Sequence, residues 1–231
     1  MEVIVNIFIC PKCQIDLHKF FPEKCACGYE IPITDSIYQF CDDPPISLEK
    51  EGHKYLGYEN VGENYDGTVS KSYENYDDDY GIFGACSVKL VEIMGKGCTI
   101  LDLGAGLGPA SITLAKAGAN VIAADISQKM LSVAVKRTSG RQLEGDLIFT
   151  RMNGYNLQIS DNSIDAVVAI DMLHQVDNPE AVFKEILRVL KPDGVFIQYG
   201  CIGLPIDDEQ WKINLNCRET ESDIRSYYNH Y

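Results

Sequence analysis

Four cysteines near the amino terminus carry the most specific chemistry in the chain. Cys10 and Cys13 are separated by two residues, Cys25 and Cys27 by one, and eleven residues lie between the pairs. Two such tight pairs can bring four thiolates together, which suits the tetrahedral, soft-ligand preference of zinc. The alternative is reduced cysteines packed in an apolar hairpin. A second constellation lies far downstream. Asp102 precedes three glycines, Gly104, Gly106 and Gly108, and Asp125 follows 21 residues after Gly104. Glycines spaced this way let a backbone turn approach a ligand closely, while a second acid at that interval is placed to accept hydrogen bonds from ribose hydroxyls. Asp171 and His174 stand just past another apolar run and form a third group, suited to orienting a nucleophile or taking its proton.

The elements that must position these residues follow from periodicity. Ile100, Leu101 and Leu103 make an apolar strand directly before the glycines, and the stretch SITLAKAGA after them reads as an amphipathic helix. Further apolar runs, VIAAD, LIFTR, IDAVVAI and VFIQY, bring the expected strands to five. Strands alternating with helices imply a doubly wound, mostly parallel α/β sheet, with the ligand at the carboxyl ends of the strands. The spacing is G-x-G-x-G with Pro109 after it, and Asp102 would repel a pyrophosphate, so a dinucleotide is disfavoured. The same carboxylate suits a cationic amino-acid group, as in S-adenosylmethionine.

Four pieces occur in order: LDLGAGLG (101–108), DISQKML (125–131), DNSIDAVVAIDMLHQV (161–176) and RVLKPDG (188–194). Together they resemble the class I S-adenosylmethionine-dependent methyltransferases over residues 99–199. The resemblance implies a Rossmann-like fold and methyl transfer from S-adenosylmethionine. It assigns Asp102, Gly104, Ala105, Gly106 and Gly108 to the methionine end of the cofactor, Asp125 to the ribose and Ile126 to one face of the adenine. It sets Asn153 and Gly154 at the adenine edge, where the family usually has Asp before a small residue, and Ile170 near the sulfonium. Tyr73, from an upstream tyrosine-rich stretch, is a further candidate for cofactor contact.

The segment CACGYEIPITDSIYQF (25–40) resembles small zinc-ribbon domains that occur as stand-alone methyltransferase activators or fused to methyltransferases, with Ser36 where they usually carry glycine. A module of about 40 residues has too small a core to stand without such a metal staple. Zinc and S-adenosyl-L-methionine are therefore the expected cofactors.

Charge narrows the acceptor. The 231 residues carry 20 Lys+Arg against 34 Asp+Glu, a net charge of −14, and only Lys136, Arg137 and Arg141 form a basic cluster. That balance works against nucleic acid and favours a small-molecule acceptor, although some rRNA guanine methyltransferases share the ribbon-then-methyltransferase order. A tRNA, rRNA or protein substrate and a non-catalytic partner protein are the competing readings. Tyrosines 55, 58, 65, 73, 76 and 80 make residues 41–95 too aromatic for a tether, so a linker and helical cap over the acceptor are expected there. The expected layout is a ribbon over 1–40, this cap, a cofactor domain over 96–200, and an extension over 201–231 in which the family's closing edge hairpin is abbreviated or missing. No run approaches the about 20 apolar residues of a membrane helix, which implies no membrane and a cytoplasmic location. Oligomeric state has no signature in the sequence.

Overall fold

A computed structural model describes residues 7–17, 24–41, 81–173, 176 and 178–199. The tyrosine-rich stretch 42–80 with Tyr73, the residue His174, and the extension 200–231 lie outside the described residues.

The sheet contains seven strands in the order β1-β2-β5-β4-β3-β6-β7. Five were expected from the sequence: β3 (Thr99–Leu103), β4 (Asn120–Asp125), β5 (Leu147–Arg151), β6 (Ile164–Ile170) and β7 (Leu190–Tyr199). They are mutually parallel. Every residue of β3 is buried, because it lies at the centre of the sheet with helices on both faces. The chain runs outward from β3 through β4 to β5, then crosses back to β6 on the other side of β3. That reversal opens the crevice at the carboxyl ends of the strands where ligands of doubly wound sheets bind.

Among the described residues, four helices flank the sheet: α1 (Gly81–Met94), α2 (Pro109–Lys116), α3 (Gln128–Thr138) and α4 (Pro179–Val189). Local chemistry fixes their starts. Ser127 caps α3 by accepting from the Met130 N–H, and Asn178 caps α4 by accepting from the Ala181 N–H, with Pro179 in the first turn.

The remaining two strands come from the cysteine module. β1 (Ile33–Thr34) and β2 (Ile37–Gln39) form an antiparallel hairpin whose turn residues, Asp35 and Ser36, both have positive φ, at 53° and 64°. Such a turn prefers glycine, which explains the glycine usual at the position of Ser36. β2 then pairs in parallel with β5, Ile37 opposite Phe149 and Gln39 opposite Arg151. The ribbon is thus continuous with the sheet. Its apolar residues Phe8, Cys10, Leu17, Cys25, Ile31 and Phe40 share one core with Leu101, Leu103, Met152, Leu157 and Ile159.

Candidate active site and metal centre

The turn after β3 is built around left-handed glycines. Gly104, with φ 77°, has no space for a side chain: a Cβ there would lie 2.5 Å from Cγ of Met172. Gly108, with φ 78°, opens α2 and brings it against Ala134 of α3, whose Cβ would stand 3.0 Å from a Cβ on Gly108. The turn is anchored to the end of β4, since the N–H groups of Gly104 and Ala105 both donate to the Ala124 carbonyl, at 2.8 and 3.0 Å.

Asp102 and Asp125 flank this turn from two directions. The Asp102 carboxylate is buried and accepts the Ser111 hydroxyl at 2.5 Å. Burial pushes its pKa up to about 6; the Ser111 hydrogen bonds pull it down and the charge of Asp125 adds to the rise. At the end of β4, Asp125 accepts from the Gly106 N–H and the Ser127 N–H, each at 2.8 Å. One carboxylate therefore ties the glycine turn to the start of α3.

Ile126 follows, half-buried, its carbonyl accepting from Nε of the buried Arg151 at 2.9 Å. Met152 N–H donates to the Asp125 carbonyl at 3.0 Å, so the ends of β4 and β5 are laced together. Asn153 uses its side-chain oxygen locally, accepting from the Tyr155 N–H at 3.0 Å. Gly154 is packed beside Leu103 and Met172. Ile170 is half-buried and packs against the cluster around Leu90, Val91 and Ile100. Asp171 is exposed with φ 51°, a left-handed conformation at the exit of β6.

Asp102, the glycine turn, Asp125 and the Asn153–Gly154 loop thus share the carboxyl end of the sheet. Sequence reasoning missed two residues there. Met172 bridges Gly104 and Gly154, and Ser111 holds Asp102. The signal for Ser111 was a lone hydroxyl among the apolar residues of α2, nine positions after Asp102.

At the other end of the described chain, the Sγ atoms of Cys10, Cys13, Cys25 and Cys27 lie within 4.8 Å of one another. Two of the separations are 3.5 Å for Cys13–Cys25 and 3.8 Å for Cys10–Cys27. Zinc–sulfur bonds of about 2.3 Å place tetrahedral sulfurs about 3.8 Å apart, so the cluster fits the ion. Two backbone turns make it. Gln14 N–H closes the first on the Cys10 carbonyl, and Gly28 N–H closes the second on Cys25, at 2.9 and 2.8 Å. The Tyr29 N–H stabilises the Cys27 thiolate and lowers its pKa to about 7, toward the form that binds metal.

Residues 101–198, covering β3 through β7, match a family described as a methyltransferase domain. Over these residues the chain resembles a methyltransferase domain. A demethylmenaquinone methyltransferase of Clavibacter sepedonicus is 42% identical over 95 residues, 41% of this chain and 38% of the relative. A sterol 24-C-methyltransferase of Aspergillus fumigatus is 35% identical over 105 residues, 45% of this chain and 28% of the relative. The chain spans about two fifths or less of these curated relatives, and the similarity falls on the methyltransferase domain. A solved structure from Methanococcus maripaludis, provisionally described as an S-adenosyl-L-methionine-dependent methyltransferase, superimposes with a TM-score of 0.52 at 20% identity. It covers 74% of this chain and 81% of its own, and it shows the shared fold of the methyltransferase domain.

Proposed function

We propose that the protein is an S-adenosylmethionine-dependent methyltransferase acting on a small-molecule acceptor, with a structural zinc ion in its ribbon. The observation that carries this reading is the pairing of two carboxylates around one glycine turn. The buried Asp102 precedes the turn on β3 and is held by Ser111 of the helix that follows it, and Asp125 holds the turn from the end of β4. In this reading Asp102, Gly104, Ala105, Gly106 and Gly108 hold the methionine end of the cofactor, Asp125 the ribose, and Ile126, Asn153 and Gly154 the adenine. Ile170 and Tyr73 complete the proposed set. The cofactor supplies an electrophilic methyl group for in-line displacement, and the protein aligns the acceptor and excludes water. Asp171 and His174 are the candidates for orienting the acceptor or taking its proton.

Two lines support a small-molecule acceptor. The net charge of −14 opposes a polyanionic partner. The names of the relatives from Clavibacter sepedonicus and Aspergillus fumigatus specify a demethylmenaquinone and a sterol as their acceptors. No helix among the described residues is long and apolar enough to cross a membrane. Calorimetric titration with S-adenosylmethionine and S-adenosylhomocysteine tests the cofactor reading. Saturable binding near one equivalent is expected; no heat and no thermal shift at millimolar ligand would remove it. Metal analysis of protein purified without chelator is expected to give one zinc per chain.

A further inference from the structure

The loop bearing Asn153 and Gly154 leaves β5 at Arg151 and ends at Ser160, and ribbon backbone grips it on both sides. On the β5 side, Gln39 stands opposite Arg151, and the Phe40 N–H donates to the Arg151 carbonyl at 2.9 Å. On the far side, Ile9 N–H donates to the Gln158 carbonyl at 3.0 Å, Ser160 N–H donates to the Ile7 carbonyl at 2.7 Å, and Phe8 bridges Ile159. Side chains add to that grip. The Ser160 hydroxyl donates to Asp16 at 2.6 Å, and Gln14 donates to Gln158 at 3.4 Å.

The two grips are joined inside the ribbon. Phe8 and Phe40, both buried, stack with centroids 4.9 Å apart and planes at 25°. Cys10 follows Ile9 directly, and Gln14 and Asp16 follow the first cysteine turn, so the candidate metal ligands and the residues that hold the loop are chain neighbours.

We infer that the ribbon is a metal-set clamp on loop 152–160, so that filling the four-cysteine site strengthens cofactor binding at Asn153 and Gly154. This rests on the cofactor assignment proposed above. The physical basis is linkage. A ribbon this small draws its folding energy from the ion, and without it the cysteine turns open and Phe8–Ile9 loses its register. Both ends of the loop then lose backbone partners, and a ligand that needs the loop ordered binds only the fraction that remains closed.

The full-length chain, zinc-loaded and chelator-treated, is titrated with S-adenosylhomocysteine and followed by amide hydrogen exchange. Zinc removal should weaken binding at least about tenfold and speed exchange across 152–160, while β3 and β6 stay protected, since local openings are cooperative units. Phe8→Ala should reproduce both effects with one zinc still bound. If that variant fails to fold, Asp16→Ala, which removes the acceptor of the Ser160 hydroxyl, should give the same direction at about twofold. Unchanged affinity with 152–160 still protected, exchange rising through the whole sheet, or a cysteine cluster that holds no metal would each overturn the clamp. A zinc-loaded chain that binds no S-adenosylhomocysteine would instead overturn the cofactor assignment, leaving the exchange measurement to judge the clamp.

Discussion

Asp102 has the clearest chemical tension of any single residue in the chain. Folding raises its pKa from 3.8 to about 6, chiefly by burial. A carboxyl raised in this way contributes its full stability below pH 3.8, and that contribution is lost as pH rises through about 6. Above that pH the free protein carries a buried negative charge, a cost of up to roughly 3 kcal/mol. Asp102→Asn should therefore stabilise the unliganded protein at pH 8 and leave it little changed at pH 4, as read from urea unfolding at the two pH values. On the cofactor assignment proposed above, the same variant should lose affinity for S-adenosylhomocysteine, because its ammonium would be paired with the ionised acid. Wild-type affinity should itself fall about tenfold per pH unit below about 6, measured by titration calorimetry. A milder test sits in the ribbon hairpin. Ser36 has φ 64°, so Ser36→Gly should raise the unfolding midpoint by the equivalent of about 1 kcal/mol.

At the scale of elements, α4 holds the far end of the loop after β5 through two side chains, Arg188 and Glu185. Arg188 donates to the carbonyls of Leu157 and Ile159, each at 2.7 Å, and pairs with Glu185 and Asp161. Glu185 in turn accepts the Leu157 N–H at 2.7 Å. From the sequence, Arg188 reads as a cation suiting the negative end of its helix. The structure adds a second task that no helical pattern encodes, because its partners lie about thirty residues earlier in the chain. Arg188→Leu should cost about 2–4 kcal/mol in chemical denaturation, since it strands two backbone acceptors and a half-buried acid. Lys184→Ala, which removes only the exposed pair with Glu180, should cost under about 0.5 kcal/mol.

Across the whole molecule, sequence and structure agree where the determinants are local. The five parallel strands were legible because apolar runs alternate with amphipathic helices. The glycine turn was legible because left-handed backbone demands glycine, and the cysteine cluster because two short spacings suffice to make two turns. What was not legible depends on long-range pairing. Nothing in IYQF announces that Ile37–Gln39 will lie beside Leu147–Arg151, more than a hundred residues away. Met172 likewise looks like any apolar residue until the fold sets it against Gly104. The proposed cap residue Tyr73 and the candidate base His174 lie outside the described residues, so their roles rest on their places in the sequence.

The parallel pairing of β2 with β5 also bears on how the protein behaves in concentrated solution. Without its neighbour, β5 would present LIFTR as an open edge in a largely buried strand, a template for pairing with another chain. The ribbon covers that edge and ends the sheet on a two-residue strand beside Pro32, too short to template further addition. Deleting residues 1–41 should therefore increase self-association relative to the full chain, visible as concentration-dependent light scattering. In that sense the ribbon serves the methyltransferase domain as a built-in solubility cap.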